Sequence, residues 1–185
     1  MEQVSEIQEP QIMPREAFDH FVKARVNTFA SGKKPISGLN VMGFEGYRYP
    51  DKNNEGATFL YEDNFQVSED RKSAHFAGYE VNKDIASGRV NTLYLYGGGP
   101  TKEGIDVGDK IVNNALILFL AEHANEVRFG KNVRFEHKDP SGNIWVYEGK
   151  GERKDHGWGD EEKLTRNGVP MHTFEGKGHV FSKGF

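Results

Sequence analysis

A chain of 185 residues with 36% hydrophobic and 12% aromatic residues is long enough to bury a real core in one domain. Its 24 Lys and Arg are scattered among 28 Asp and Glu, for a formal charge of −4, with no basic stripe to displace phosphate counterions; this argues against a nucleic-acid partner. The absence of cysteine excludes disulfides, thiolate metal sites and thiol catalysis.

Residues 1–13 are largely polar and acidic around Pro10 and read as a flexible tail. Met1 to Glu6 lack the basic-then-apolar layout of an export signal, so a cytoplasmic location is expected. Pro14 suits the first turn of a helix, along which Phe18, Phe21, Val22, Arg25, Val26 and Phe29 recur at helical spacing until Ser31-Gly32. His20 and Lys23 fall off that stripe and are expected to face solvent. After a loop at 33–40, strands are predicted over 44–49, 57–62, 73–81 and 90–96, with turns at 51–56 and 82–88.

Gly97-Gly98-Gly99-Pro100 reads as a turn, since its spacing fits neither dinucleotide-binding nor phosphate-binding loops. Asp106 is the expected N-cap of a second helix over 107–124, apolar around more than half its circumference and therefore buried. Its longest apolar run, Ala115 to Ala121, is far short of the roughly 20 residues that span a bilayer, so no membrane partner is expected. Four more strands follow, at 132–137, 144–151, 157–164 and 170–180. Pro140-Ser141-Gly142-Asn143 and Arg166-Asn167-Gly168 join them as hairpins, and Asn-Gly is the strongest short hairpin signal.

The chain repeats itself. Tyr61-Glu62-Asp63, then Phe76-Ala77-Gly78-Tyr79-Glu80, then Gly88-Arg89-Val90 and Leu93 to Gly98 correspond to Tyr147-Glu148-Gly149, Trp158-Gly159-Asp160-Glu161-Glu162, Gly168-Val169-Pro170 and Met171 to Gly176. Each series follows a helix. The expected fold is α+β, with two pseudo-repeated helix-plus-antiparallel-sheet units in a single domain at 14–185, one half at about 14–104 and the other at about 105–185.

If the halves pack about a twofold axis, Glu80 could face Glu161 or Glu162 across a shared cleft. Two carboxylates in a partly apolar pocket split their proton affinities and can act as acid and base, so these three are the catalytic candidates. Around them, Tyr61, Asp63, Tyr79, Tyr94, Tyr96, Tyr147 and Trp158 are the expected ligand-binding set, rings and acids suited to a flat or sugar-like polar molecule. The competing reading makes the rings core and the acids solvated strand residues paired across the sheet. His137, His156, His172 and His179 cluster late but show no tight ligand spacing, so neither metal nor cofactor is expected. No serine sits in a nucleophile-elbow context.

The order of residues 21–30, Tyr61 with Asp63, Phe76 to Val81 and Leu93 to Gly98 resembles an uncharacterised domain family of small prokaryotic or phage α+β proteins. Trp158 to Glu162 and Phe174 to Gly178 fit that family's second half. The chain departs by an insertion around 68–73 and by lacking a helix-turn-helix segment. The resemblance implies the fold and a prokaryotic origin, and no catalytic residue. The leading functional expectation is a small-molecule binding module acting as a sensor or sponge for a nucleotide-like or sugar-like ligand. The alternatives are a carboxylate-dependent hydrolase or isomerase and a protein-interaction or inhibitor domain, with a homodimer through a sheet edge as a further possible partner.

Overall fold

The computed structural model of the protein describes residues 14–31, 34–35, 44–50, 56–68 and 75–181. The expected tail, the 51–55 part of the first turn, most of the 33–40 loop and most of the insertion lie outside the described residues. Helix α1 (Arg15–Asn27) leads through a 3₁₀ turn (Phe29–Ser31) to strands β1 (Glu45–Tyr49), β2 (Phe59–Val67), β3 (Phe76–Asp84) and β4 (Val90–Pro100). Helices α2 (Lys102–Val107) and α3 (Asp109–Glu122) follow, then β5 (Val133–Lys138), β6 (Ile144–Lys154), β7 (Gly157–Arg166) and β8 (Val169–Val180).

All eight strands form one antiparallel sheet in the order β1-β2-β3-β4-β8-β7-β6-β5. Two four-stranded meanders therefore meet along β4 and β8, and β1 and β5 are the outer edges. Strand alternation puts one row of side chains on a single face, and both long helices cover that face: Phe21 of α1 meets Tyr61 of β2, and Phe119 of α3 meets Tyr147 of β6. The chain is thus α+β, in two layers. Among the described residues no helix is long and apolar enough to cross a membrane.

Size complementarity across the central strands explains the glycines of β8. A Cβ at Gly178 would lie 2.2 Å from the Trp158 ring, and one at Gly176 would lie 2.0 Å from the Tyr94 hydroxyl. Removing those side chains lets Tyr94 stack on Trp158 with ring centres 5.7 Å apart and the planes inclined by 15°. Asn167 (φ 51°) and Gly168 (φ 81°) make the tight β7–β8 turn with two left-handed residues, as an Asn-Gly hairpin requires.

Three expectations change. The glycines at 97–99 are strand, not turn: Gly98 pairs with Phe76 on one side and Phe174 on the other, and a Cβ there would sit 2.4 Å from the Thr173 carbonyl. The helix expected over 107–124 is α3, but Asp106 is not its N-cap: it lies inside a short preceding helix, α2. Thr101 caps α2 by accepting the Gly104 N–H at 3.1 Å, and Gly108, at φ 105°, turns the chain before Asp109. His20 does not face solvent; Nδ1 lies 2.9 Å from Asn82 Oδ1, and its ring packs against Tyr49 and Phe59.

Candidate functional site

A cavity of about 300 Å³ opens between the inner face of β1–β4 and helix α3. Its walls are mostly apolar, with Leu116, Leu120 and Val112 of α3 opposite Phe65 and Phe76 of the sheet. Its polar groups include Asp63, Glu80 and Tyr96 on the sheet, Arg25 of α1, Arg128 after α3, Asp109 and Asn113 of α3, and His172 of β8.

Antiparallel register builds the polar wall. Asp63 stands directly opposite Glu80 on β3 and opposite Tyr47 on β1, while Glu80 faces Tyr94 on β4. Asp63 is 5% exposed and Glu80 3%, so each needs a partner. Glu80 has one: Arg25 of α1 places Nε and Nη2 both 2.8 Å from Oε2, Nε in a well-aligned hydrogen bond and Nη2 as an ion-pair approach without one. The rings of Phe21, Phe129 and Tyr94 surround this guanidinium, with centres 4.3, 4.9 and 5.1 Å from Cζ.

Among the described residues Asp63 has no cation of its own. It accepts a short hydrogen bond from the Tyr96 hydroxyl. Burial, then the Glu80 charge beside it, pushes its carboxyl up to about 8, against the pull of Tyr96 and the two arginines. Burial also forces His172 down to about 4, with Arg128 and His75 acting in the same direction, so its imidazole is neutral at pH 7. His172 stacks on Phe76 at 5.8 Å.

A second ionic unit lies behind the first. Arg128, which follows α3, places Nε 3.1 Å from both oxygens of Glu162 and its Cζ 3.8 Å over the Phe174 ring. Its backbone carbonyl accepts the Trp158 indole N–H at 2.8 Å and lies 3.5 Å from Arg25 Nη1, linking the two units. Asp160 accepts from the Gly130 N–H at 2.8 Å and the Tyr94 hydroxyl at 3.1 Å; burial, opposed by that backbone bond, pushes it up to about 6.

Of the residues singled out from sequence, the cavity gathers Tyr61, Asp63, Glu80 and Tyr96. Tyr94, Tyr147 and Trp158 are core residues beside it, each under 5% exposed. Tyr79 and Glu161 project from the opposite face of the sheet, where Tyr79 packs on Phe44. The expected acid–base pairing of Glu80 with Glu161 or Glu162 is corrected. The Glu80 row crosses Tyr94 and Gly178 to Trp158, four residues from Glu162, and each glutamate is held by its own arginine. The direct carboxylate neighbours are Asp63 and Glu80.

Sequence reasoning passed over Arg25, Arg128 and His172 as site residues. Arg25 carried a signal, since a charge on the apolar stripe of a helix must meet a buried counter-charge. Arg128 carried none. Among the described residues no group of three or more His, Asp or Glu side chains is arranged to hold a metal ion. No protein family, curated protein or solved structure matches this chain.

Proposed function

We propose that the protein is a small-molecule binding module whose ligand occupies the cavity under α3. The observation that carries this is a partly open space of about 300 Å³, near the lower end of the usual range for small-molecule sites, with mostly apolar walls and a few polar groups. The balance of the lining moves the ligand away from a sugar-like molecule and toward an amphipathic one with an apolar body and one polar end. Binding without turnover suits a sensor or a sponge. Native mass spectrometry of protein purified without denaturation, and thermal shifts against a metabolite panel, test it. A ligand that raises the melting temperature of the wild type and not of a Leu116→Trp variant supports the reading. A panel without any shift, with no adduct in the native spectrum, sinks it.

Internal duplication deepens the same reading. In the sheet register Glu80 and Glu162 occupy equivalent places, as do Tyr61 and Tyr147. Asn82 with Thr92 corresponds likewise to Leu164 with His172. Each meander also slips register by one residue in its last hairpin, at Asn91 and at Met171. Each equivalent glutamate holds one buried arginine. These correspondences support descent of both halves from one unit, with a second acid beside the buried glutamate in one half: the place of Asp63 is taken by Gly149 in the other.

One observation favours an enzymatic alternative. A carboxyl raised to about 8 beside a tyrosine hydroxyl can give and take a proton near neutrality, so Asp63, in place of the glutamate pair, would be the acid–base group of a hydrolase or isomerase. Product formation in a cofactor-free substrate screen, abolished by Asp63→Asn with the melting temperature kept, would establish it.

A further inference from the structure

We infer that the ligand is an organic cation, a protonated amine on a compact apolar body, seated with its nitrogen between the Asp63 carboxylate and the rings around it. This rests on the cavity being the binding site.

The charges lining the cavity among the described residues are Arg25, Asp63, Glu80, Asp109 and Arg128. Both cations are engaged, Arg25 with Glu80 and Arg128 with Glu162, and rings cover their guanidinium faces. Asp63 and Asp109 are left over. Asp109 Oδ1 is buried without a hydrogen-bond partner, and Asp63 accepts one hydrogen bond from a neutral hydroxyl. A buried carboxylate without a counter-charge is costly, and it is relieved either by taking a proton or by gaining a cation.

The surroundings favour a cation over an anion. Tyr47 lies directly across from Asp63, the Tyr96 hydroxyl donates to it, and Phe65 follows it on the same face of β2, so the acid stands among aromatic side chains, whose ring faces attract positive charge. An anion would meet two arginines already neutralised and two unpaired acids. His172 stays uncharged and does not compete.

The proton balance makes this testable. Asp63 is faced by Glu80, Tyr61, Tyr47 and Tyr96 from the sheet, Arg25 from α1 and Arg128 from the segment after α3; Asp109 and His172 also line the cavity. With its carboxyl raised to about 8, Asp63 is mostly protonated at pH 6.5 and must ionise to hold an ammonium group, so amine binding expels a proton. Affinity then rises about tenfold per pH unit between pH 6 and 7.5 by linkage.

Isothermal titration with three molecules of one shape separates the outcomes: indole-3-ethylamine, indole-3-ethanol and indole-3-acetate. The amine is expected to bind at least about tenfold tighter than the other two, the attraction of a buried ion pair over a neutral contact being of that order. Repeating the titration at pH 6.5 in buffers of different ionisation heat is expected to show about one proton released. Asp63→Asn, with an unchanged circular dichroism spectrum, should level the amine with the alcohol. If that variant does not fold, the pH series on the wild type decides. Alcohol or acetate binding as tightly as the amine, or amine affinity flat with pH, overturns the cation and leaves the cavity as a site. If none of the three binds, the cation reading falls, and the cavity as a binding site stands or falls on the native spectrum and the metabolite panel.

Discussion

Arg25 shows how one side chain sets the local chemistry. It sits on the buried face of α1, where, among the described residues, Glu80 is the counter-ion of its guanidinium and the rings of Phe21, Phe129 and Tyr94 surround it. Replacing it with methionine leaves Glu80 buried and unpaired, at an expected cost of about 3–5 kcal/mol, whereas pairing Arg25→Met with Glu80→Met should recover most of that loss. Urea unfolding of the two variants checks this; a double variant no more stable than the single would contradict it. The titrations give a second expectation. Asp63 has its folded value raised, from 3.8 to about 8, so its contribution is whole below about pH 4 and lost as pH rises toward 8. His172 is lowered, from 6.5 to about 4, so its contribution is whole above 6.5 and lost only as pH falls toward 4. Asp160, raised to about 6, has largely ionised by pH 7, so from pH 7 to 8 Asp63 carries most of the change and the free energy of unfolding should fall. Denaturant midpoints that stay level over that range in the wild type, or that fall equally in Asp63→Asn, would refute the assignment.

At the level of elements, the sheet is organised by alternation of large rings with glycine across β4, β8 and β7. Gly178 faces Tyr94 on one side and Trp158 on the other, and its missing side chain is the space the indole occupies. A methyl group 2.2 Å from that ring cannot be absorbed by a flexible chain end. Gly178→Ala should therefore destabilise by about 1–3 kcal/mol or more and disturb the Tyr94–Trp158 stack, seen as a change in near-ultraviolet circular dichroism. An alanine variant with wild-type stability and spectrum would show that the ring has room to move. The break between α2 and α3 belongs to the same scale: Gly108 adopts a conformation that favours glycine, and this aims α3 across the sheet and over the cavity.

For the molecule as a whole, the two meanders share the β4–β8 seam and exchange core residues across it. Phe129, Trp158 and Phe174 from the second half pack with Phe21, Tyr61 and Tyr94 from the first. A fragment covering 14–104 would expose β4 as a bare edge and lose those rings, so it is expected not to fold alone, as judged by dispersion of its amide proton spectrum. A well-dispersed spectrum would mean that the seam is dispensable.

The strand pattern was legible because alternation, Asn167-Gly168 and the turn at Pro140 to Asn143 are local signals, each written within a few residues. Local signals do not state which glycines are turns and which make room for a neighbour's ring, so Gly97 to Gly99 were misread. Nor do they set where α3 lies. The sequence by itself determined the strands and the two long helices, and left open which of neighbouring acids such as Glu161 and Glu162 faces inward. Only the tertiary structure decided which acids meet an arginine, because Arg25 and Arg128 arrive from segments 55 and 34 residues away from their partners. That long-range pairing neutralises Glu80 and Glu162 and leaves Asp63, among the described residues, as the cavity acid of the sheet without a counter-charge.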